Sequence, residues 1–358
     1  MSLFAPQLQV VSDLHLETPI TNPHYSTAHL NITGTALFLL GDIGLVVHEG
    51  LFLFLRRLLD QNRGCRIFYV LGNHEAYQTT LERAVEKMRA FEEMANEEYG
   101  GRFHFLFRNR YDIDDNVTIL GCTLWTNIHQ HQATEVHARL TDFNDERGIH
   151  NWTPEKSCIE HARDLEWLNK QVELIQTTEP HRNIMIATHH CPTVDPRATD
   201  PVHRSSKMSS AFVSDLSGEP CWTAKAVKLW AFGHTHYSCT FRDEVTKKLL
   251  VSSQKGYSGV ARNNKSTRRI RSKVVEARGD AWLVMENAQS PNVSGEKTNM
   301  TKDTKLKVQL PEEYQQPPKK TAEYPPEDES SNKPRELLIY RATKRVKALF
   351  RPRPHFSK

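Results

Sequence analysis

The sequence predicts a layered α/β domain followed by a disordered tail. Short apolar runs alternate with helical patterns from Leu8 to about Glu286, and the run Ile67–Leu71 is rich in β-branched and aromatic residues. Strands that alternate with amphipathic helices build a sheet with helices packed on it. Beyond Asn287 the composition turns to Pro, Lys, Glu and Ser with few clustered apolar residues. Such a stretch cannot offset its ordering entropy by burial. The domain is therefore expected over residues 1–287 and the tail over 288–358, where "RELLIYRATKRVKALFRPRP" could form a short amphipathic helix.

The elements follow in order. Strands are expected at "LQVV", "ALFLL", "RIFYVL", "TILGCTLW", "NIMIAT", "KLWAF", "KLLVS" and "AWLVM". Glu49–Gln61 carries Leu51, Phe54, Leu55, Leu58 and Leu59 at helical spacing. Thr79–Tyr99 places Leu81, Val85, Met88 and Phe91 on one face and charge on the other. A third helix opens with Thr153 as N-cap and Pro154 at its first position, with Ile159, Ala162, Leu165, Leu168 and Val172 as the expected buried stripe.

Composition narrows the function classes. At 358 residues with 38% hydrophobic content, the chain can bury a substantial core. Residues Met1 to Val11 lack a basic segment leading into an apolar one, and no apolar stretch approaches the roughly 18 residues that span a bilayer. A cytoplasmic protein without a membrane partner is expected. Six scattered cysteines with no CxxC pair suit reduced thiols rather than a disulfide framework or zinc knuckle. The net charge of +4 does not by itself imply a polyanionic partner, although residues 262–278 form a basic run.

The chemistry sits at the strand ends. "LQVVSDLHLE" ends in Asp13 and His15, "ALFLLGD" in Asp42, "RIFYVLGNHE" in Asn73 and His74, "NIMIATHHCP" in His189 and His190, and "KLWAFGHTH" in His234 and His236. One polar strand tip is an ordinary turn, whereas five tips carrying Asp, Asn or His point to a shared site, since strand ends are where ligands collect in layered sheets. Carboxylates, an amide oxygen and imidazoles packed together strain their own protonation equilibria, and two divalent cations would satisfy them all. The donor set suits Mn, Fe or Zn; Ca²⁺ would want more oxygens, and a structural zinc site would usually use cysteines.

In this order, D-x-H (Asp13, His15), GD (Gly41, Asp42), GNHE (Gly72–Glu75), H-x-x-P (His189, Pro192) and GHTH (Gly233–His236) resemble the calcineurin-like metallophosphoesterase superfamily over residues 8 to about 257. "LGCTLWT", "HARDLEWL" and "SSQKGYSG" are similar to a group of small bacterial and fungal members with poorly defined substrates. The resemblance implies a four-layer αββα sandwich. It implies that Asp13, His15 and His236 hold one metal, that Asn73, His189 and His234 hold a second, and that Asp42 bridges them. It also makes His74 the catalytic histidine. "HHCP" offers His190 as the alternative to His189, near the phosphate.

The implied function is metal-dependent hydrolysis of a phosphomonoester or phosphodiester in a small phosphorylated substrate, by a metal-bridging hydroxide with His74 protonating the leaving group or donating to a phosphoryl oxygen. The basic run makes a nuclease the alternative, and a catalytically silent scaffold of the same fold is the reading from a different class. Glu75 either positions the His74 ring or serves structure. The loop from Pro192 to Pro220, with Arg197, His203, Arg204 and Lys207, is long enough to wall a substrate site, and His190 and Arg197 are its candidate substrate contacts.

Overall fold

The computed structural model describes residues 6–203, 205–257, 270–278 and 281–285. The predicted tail, its terminal helix and residues 262–269 of the basic run lie outside them. The first sheet contains β1 (Gln7–Val11), β2 (Ala36–Leu40), β3 (Arg66–Val70) and β4 (Phe103–Phe105), all parallel; β11 (Lys273–Arg278) and β12 (Ala281–Met285) add antiparallel on the β1 side. The second runs β5 (Asn109–Asp112), β6 (Val117–Cys122), β7 (Asn183–Thr188), β8 (Val227–Phe232), β10 (Leu249–Ser252) and β9 (Thr240–Arg242), with a parallel centre and antiparallel edges.

Alternation along the central strands assigns their two faces. In β2, Phe38 and Leu40 point into the layer between the sheets, where they meet Ile119, Met185, Ala231 and Val251; Leu37 and Leu39 point the other way. That outer layer is filled from α1 (Glu49–Gln61) and α2 (Leu81–Tyr99) by Leu55, Leu58, Met88 and Phe91. On the far side, Leu120, Ile186 and Trp230 meet Leu168, Val172 and Ile175 of α4 (Pro154–Thr178) and Trp222 of the one-turn α5 (Pro220–Thr223). Three apolar layers, between two sheets and the helices that cover them, make the αββα sandwich, and every central strand is buried on both faces, as parallel strands require.

The helix ends agree with the sequence. Thr80 accepts from Arg83 N at the start of α2, Thr153 accepts from Lys156 N at the start of α4, and Gly100, at φ +66°, closes α2 in the left-handed conformation. The predicted stripe of α4 needs correction. Ile159 and Ala162 are exposed, while Ser157, His161 and Asp164 take the buried positions of the first half. Polar partners explain this: Ser157 Oγ donates to Thr126 O, His161 Nδ1 contacts Trp125 O, and Asp164 pairs with Arg108. The short strands β4, β5 and β9, the strand β11 and the helix α3 (Gln130–Arg139) go beyond the sequence expectation. Among the described residues, all six cysteines are free thiols and no helix is long and apolar enough to cross a membrane.

Candidate metal centre

The loops that leave β1, β2, β3, β7 and β8 meet at one edge of the sandwich and are stitched to one another by backbone hydrogen bonds. Asp13 N donates to Gly41 O (3.0 Å), His15 N to Asp42 O (2.9 Å) and Gly233 N to His189 O (2.8 Å). Asp13, His15, Asp42, His234 and His236 all have φ between +45° and +69°. Left-handed backbone is unfavourable for side-chain-bearing residues and persists where the surroundings over-determine it. Two glycines make the approach feasible. A Cβ on Gly72 would lie 2.1 Å from Asp42 Oδ1, and one on Gly41, at φ +82°, would lie 2.4 Å from His189 Nδ1.

Glu75 ties these loops together. Its buried carboxylate accepts from the backbone N–H groups of Gly72, Asp42 and Ile43 at 2.7, 3.0 and 2.8 Å and from the Tyr69 hydroxyl at 2.7 Å. It touches no imidazole in these bonds, so its contacts are those of a structural anchor rather than a ring positioner.

The predicted donors form two adjoining groups. In one, His15 Nε2 is 2.9 Å from His236 Nε2 and 3.8 Å from Asp42 Oδ2, and Asp13 Oδ1 is 3.5 Å from His236 Nε2. In the other, His189 Nε2 is 3.1 Å from Asn73 Oδ1, 3.2 Å from His234 Nδ1 and 3.5 Å from Asp42 Oδ1. Asp42 thus presents one oxygen to each group.

Tautomers follow from the opposite ring nitrogens. His189 Nδ1 lies 2.8 Å from Leu40 O and His234 Nε2 lies 3.2 Å from Ala211 O, so each gives its proton to a carbonyl and turns the other nitrogen inward. Burial and then neighbouring imidazoles push His234 and His236 well below the usual range and keep them neutral. Burial pushes His189 down as well, but the Asp42 charge outweighs it and lifts the ring to about 9. The second group therefore demands positive charge. One proton could satisfy only one of Asn73 Oδ1, His234 Nδ1 and Asp42 Oδ1, whereas a cation satisfies all of them. The residues fit a metal of intermediate hardness.

His74 stands beside these groups. Its N–H donates to Asp42 Oδ1 (2.9 Å), its Nδ1 is 2.9 Å from Glu17 Oε1, and its Nε2 is 3.1 Å from the Tyr257 hydroxyl. Burial lowers the ring, but Asp42 and Glu17 outweigh it and raise it to about 10. Burial would raise Glu17, yet hydrogen bonds from His15 and His74 hold its carboxyl down at about 2. The other two candidates lie differently. His190 is buried, with Nδ1 3.4 Å from Thr123 O and its ring 4.1 Å from that of His234. Arg197 is exposed, paired with Asp195 at 2.6 Å and Glu244 at 3.6 Å and lying over the Phe241 ring.

Three neighbours were not singled out from the sequence. Glu17 extends the D-x-H pattern by one more alternate residue, and that spacing could have pointed to it. Asp142 accepts from Asn73 Nδ2 (2.8 Å) and the Tyr77 hydroxyl (2.5 Å), which turns Asn73 Oδ1 toward His189; nothing near it in sequence signals this. Tyr257 lies within "SSQKGYSG".

Comparison with known proteins bears on the family and the fold. A family model described as calcineurin-like phosphoesterase matches residues 8–238. An uncharacterized protein of Acanthamoeba polyphaga mimivirus is 28% identical over 240 residues, spanning 64% of this chain and 80% of its own. The solved phosphopantetheinyl hydrolase of Mycobacterium tuberculosis superposes with a TM-score of 0.52 at 14% identity, over 80% of this chain and 99% of its own; at that identity it speaks to the fold.

Proposed function

The chain belongs to the calcineurin-like phosphoesterase family, whose members are metal-dependent, and on that premise we propose that it hydrolyses a phosphomonoester or phosphodiester with two divalent cations of the Mn, Fe or Zn type. One observation carries the reading: two groups of acceptors, buried except for His236, face each other across a single carboxylate, Asp42, with a histidine beside them whose two ring nitrogens are held from outside both groups. Asp13, His15 and His236 are assigned to one ion, Asn73, His189 and His234 to the other, with Asp42 shared and His190 as the alternative nitrogen beside His189. When bound, the ions supply Lewis acidity toward a phosphoryl oxygen and make a water nucleophilic at neutral pH.

The chain's own residues do the rest. Glu17 Oε1 takes the Nδ1 protons of both His15 and His74, which fixes the two rings with Nε2 inward. His74 then carries a proton on Nε2 and can pass it to the departing oxygen as a general acid. Asp142 holds the Asn73 amide so that its oxygen, not its nitrogen, faces the second group. Arg197, engaged by Asp195 and Glu244, is assigned to the substrate wall. Nucleic acid is the less favoured substrate: at the end of the basic run, Lys273–Arg278 is strand β11 with Val274 and Val275 buried, so that part is not a free basic arm.

The test is elemental analysis of the purified protein together with turnover of one aryl phosphomonoester, one aryl phosphodiester and one oligonucleotide. Two ions per chain with turnover of an aryl ester are expected. Faster cleavage of the oligonucleotide would favour a nuclease, and a metal-loaded protein inert toward all three would favour a silent scaffold.

A further inference from the structure

Tyr257 lies five residues beyond β10, on a segment that the protein ties to its site. Ser12 N donates to Ser253 O (3.0 Å), Lys255 N to Ser12 O (3.2 Å) and Gly256 N to Asp13 O (3.0 Å), so the chain runs alongside the first predicted ligand. Gly256, at φ +68°, then turns it. The Tyr257 ring lies 4.4 Å from that of His15 and 4.8 Å from that of His236, while its hydroxyl reaches His74 Nε2 at 3.1 Å. Tyr77, which stacks on His74, is buried, whereas Tyr257 is 41% exposed.

We propose that Tyr257 is a positioning residue for phosphoester cleavage: its hydroxyl fixes the His74 ring through Nε2, and its exposed ring is the surface on which the leaving group lies. The proposal rests on the reading of His74 as proton donor. A phenol both donates and accepts, so the bond survives whether or not Nε2 carries a proton. With Glu17 on Nδ1 and Tyr257 on Nε2, the imidazole keeps one orientation. The departing oxygen must come within hydrogen-bond reach of that same Nε2, which places its substituent against the Tyr257 ring. This favours esters with planar or apolar leaving groups.

Four metal-loaded full-length variants test this: Tyr257→Phe, which keeps the ring, Tyr257→Ala, which removes it, His74→Asn, and Tyr257→Phe combined with His74→Asn. Substrates are an alkyl ester and an activated aryl ester of the same phosphate class. Tyr257→Phe should lower kcat on the alkyl ester roughly 10-fold, by analogy with the low end of the loss seen when a partner that orients a metal-bound histidine is removed, with little change on the aryl ester, which needs less protonation. Tyr257→Ala should also raise KM for the aryl ester. In the His74→Asn background, Tyr257→Phe should add nothing. In metal-free protein, the ¹⁵N resonance of His74 Nε2 should move in Tyr257→Phe; this signal decides alone where turnover is below detection. An unmoved resonance, or equal losses with and without His74, overturns the proposal. If His74→Asn keeps the wild-type rate on the alkyl ester, the proton-donor reading fails and this inference with it. If His74→Asn is impaired and Tyr257→Phe matches wild type, only the role of Tyr257 fails.

Discussion

Two clusters of buried charge in this protein behave in opposite ways. At the strand tips, Asp13, Asp42, Asn73 and four imidazoles turn acceptors toward acceptors. At the β5 and α4 boundary, Asp164 and Glu160 are also buried, but Arg108 Nη1 reaches them at 2.7 and 3.0 Å and Arg163 adds a second cation on Glu160. Left-handed backbone does not separate the two, because Arg108 has φ 56°. The sign of the partners does. A cluster that already contains its counter-charges is a clamp between elements, and one that lacks them is a place for a cation.

The sharpest way to break that contrast is Asp42→Asn. The amide keeps the shape and can still accept the hydrogen bond from His74 N, but it brings no charge to either group. Loss of a partner that only orients a metal ligand typically costs about 10- to 100-fold in metal affinity or activity, and a shared ligand should exceed that range. Elemental analysis should find the protein depleted of metal and turnover beyond that range of loss, with the melting curve still cooperative. Full metal content and near-normal turnover in this variant would overturn the assignment of the site.

A smaller effect is expected one contact further out. Asp142→Ala removes the shorter of the two hydrogen bonds that orient the Asn73 amide, leaving only the Tyr77 hydroxyl at 3.2 Å, and so loosens the hold that turns its oxygen toward His189. Metal affinity should fall roughly 10- to 100-fold, measured by calorimetric titration with Mn²⁺, and activity should return at saturating metal. Asp142→Asn, which keeps an acceptor oxygen, should recover most of the affinity. If the alanine variant binds Mn²⁺ as tightly as wild type, Asp142 belongs with the clamp rather than the site.

How far the sequence reveals these two regions depends on the range of their contacts. The strand tips are legible because each donor follows an apolar run, often through a glycine, and the same residue types recur at every tip. The central strands and α1 are legible from spacing alone. The buried face of α4 is not, since Ser157, His161 and Asp164 occupy core positions and hydrophobic periodicity passes over them in favour of Ile159. Strands of three or four residues such as β4, β5 and β9 are too short to show a period. Asp142 meets Asn73 across 69 residues, so no local pattern could reveal it. Glu17 sat in plain view, two residues after His15.

The smallest effect on the site, and the one that tests its independence, comes from the clamp. Arg108→Ala leaves Asp164 and Glu160 facing each other without their shared guanidinium. Removing one partner of a buried ion pair is strongly destabilising; because the Arg108 side chain is 23% exposed, the loss is expected near the low end, about 2–3 kcal/mol. The cost should depend on pH. Burial already raises Asp164 to about 6, and Arg108 is the main influence holding it back. Without the arginine its folded pKa rises further above the unfolded value. The penalty of ionising it is then full above the folded pKa and fades as pH falls through it. Melting curves should therefore show a larger deficit for Arg108→Ala at pH 8 than at pH 5. Well below the melting temperature, metal content and turnover should match wild type, because nothing in the clamp touches a donor. A folded Arg108→Ala protein that had lost metal would show that the two clusters are coupled, and the distinction drawn from the sign of their partners would fail.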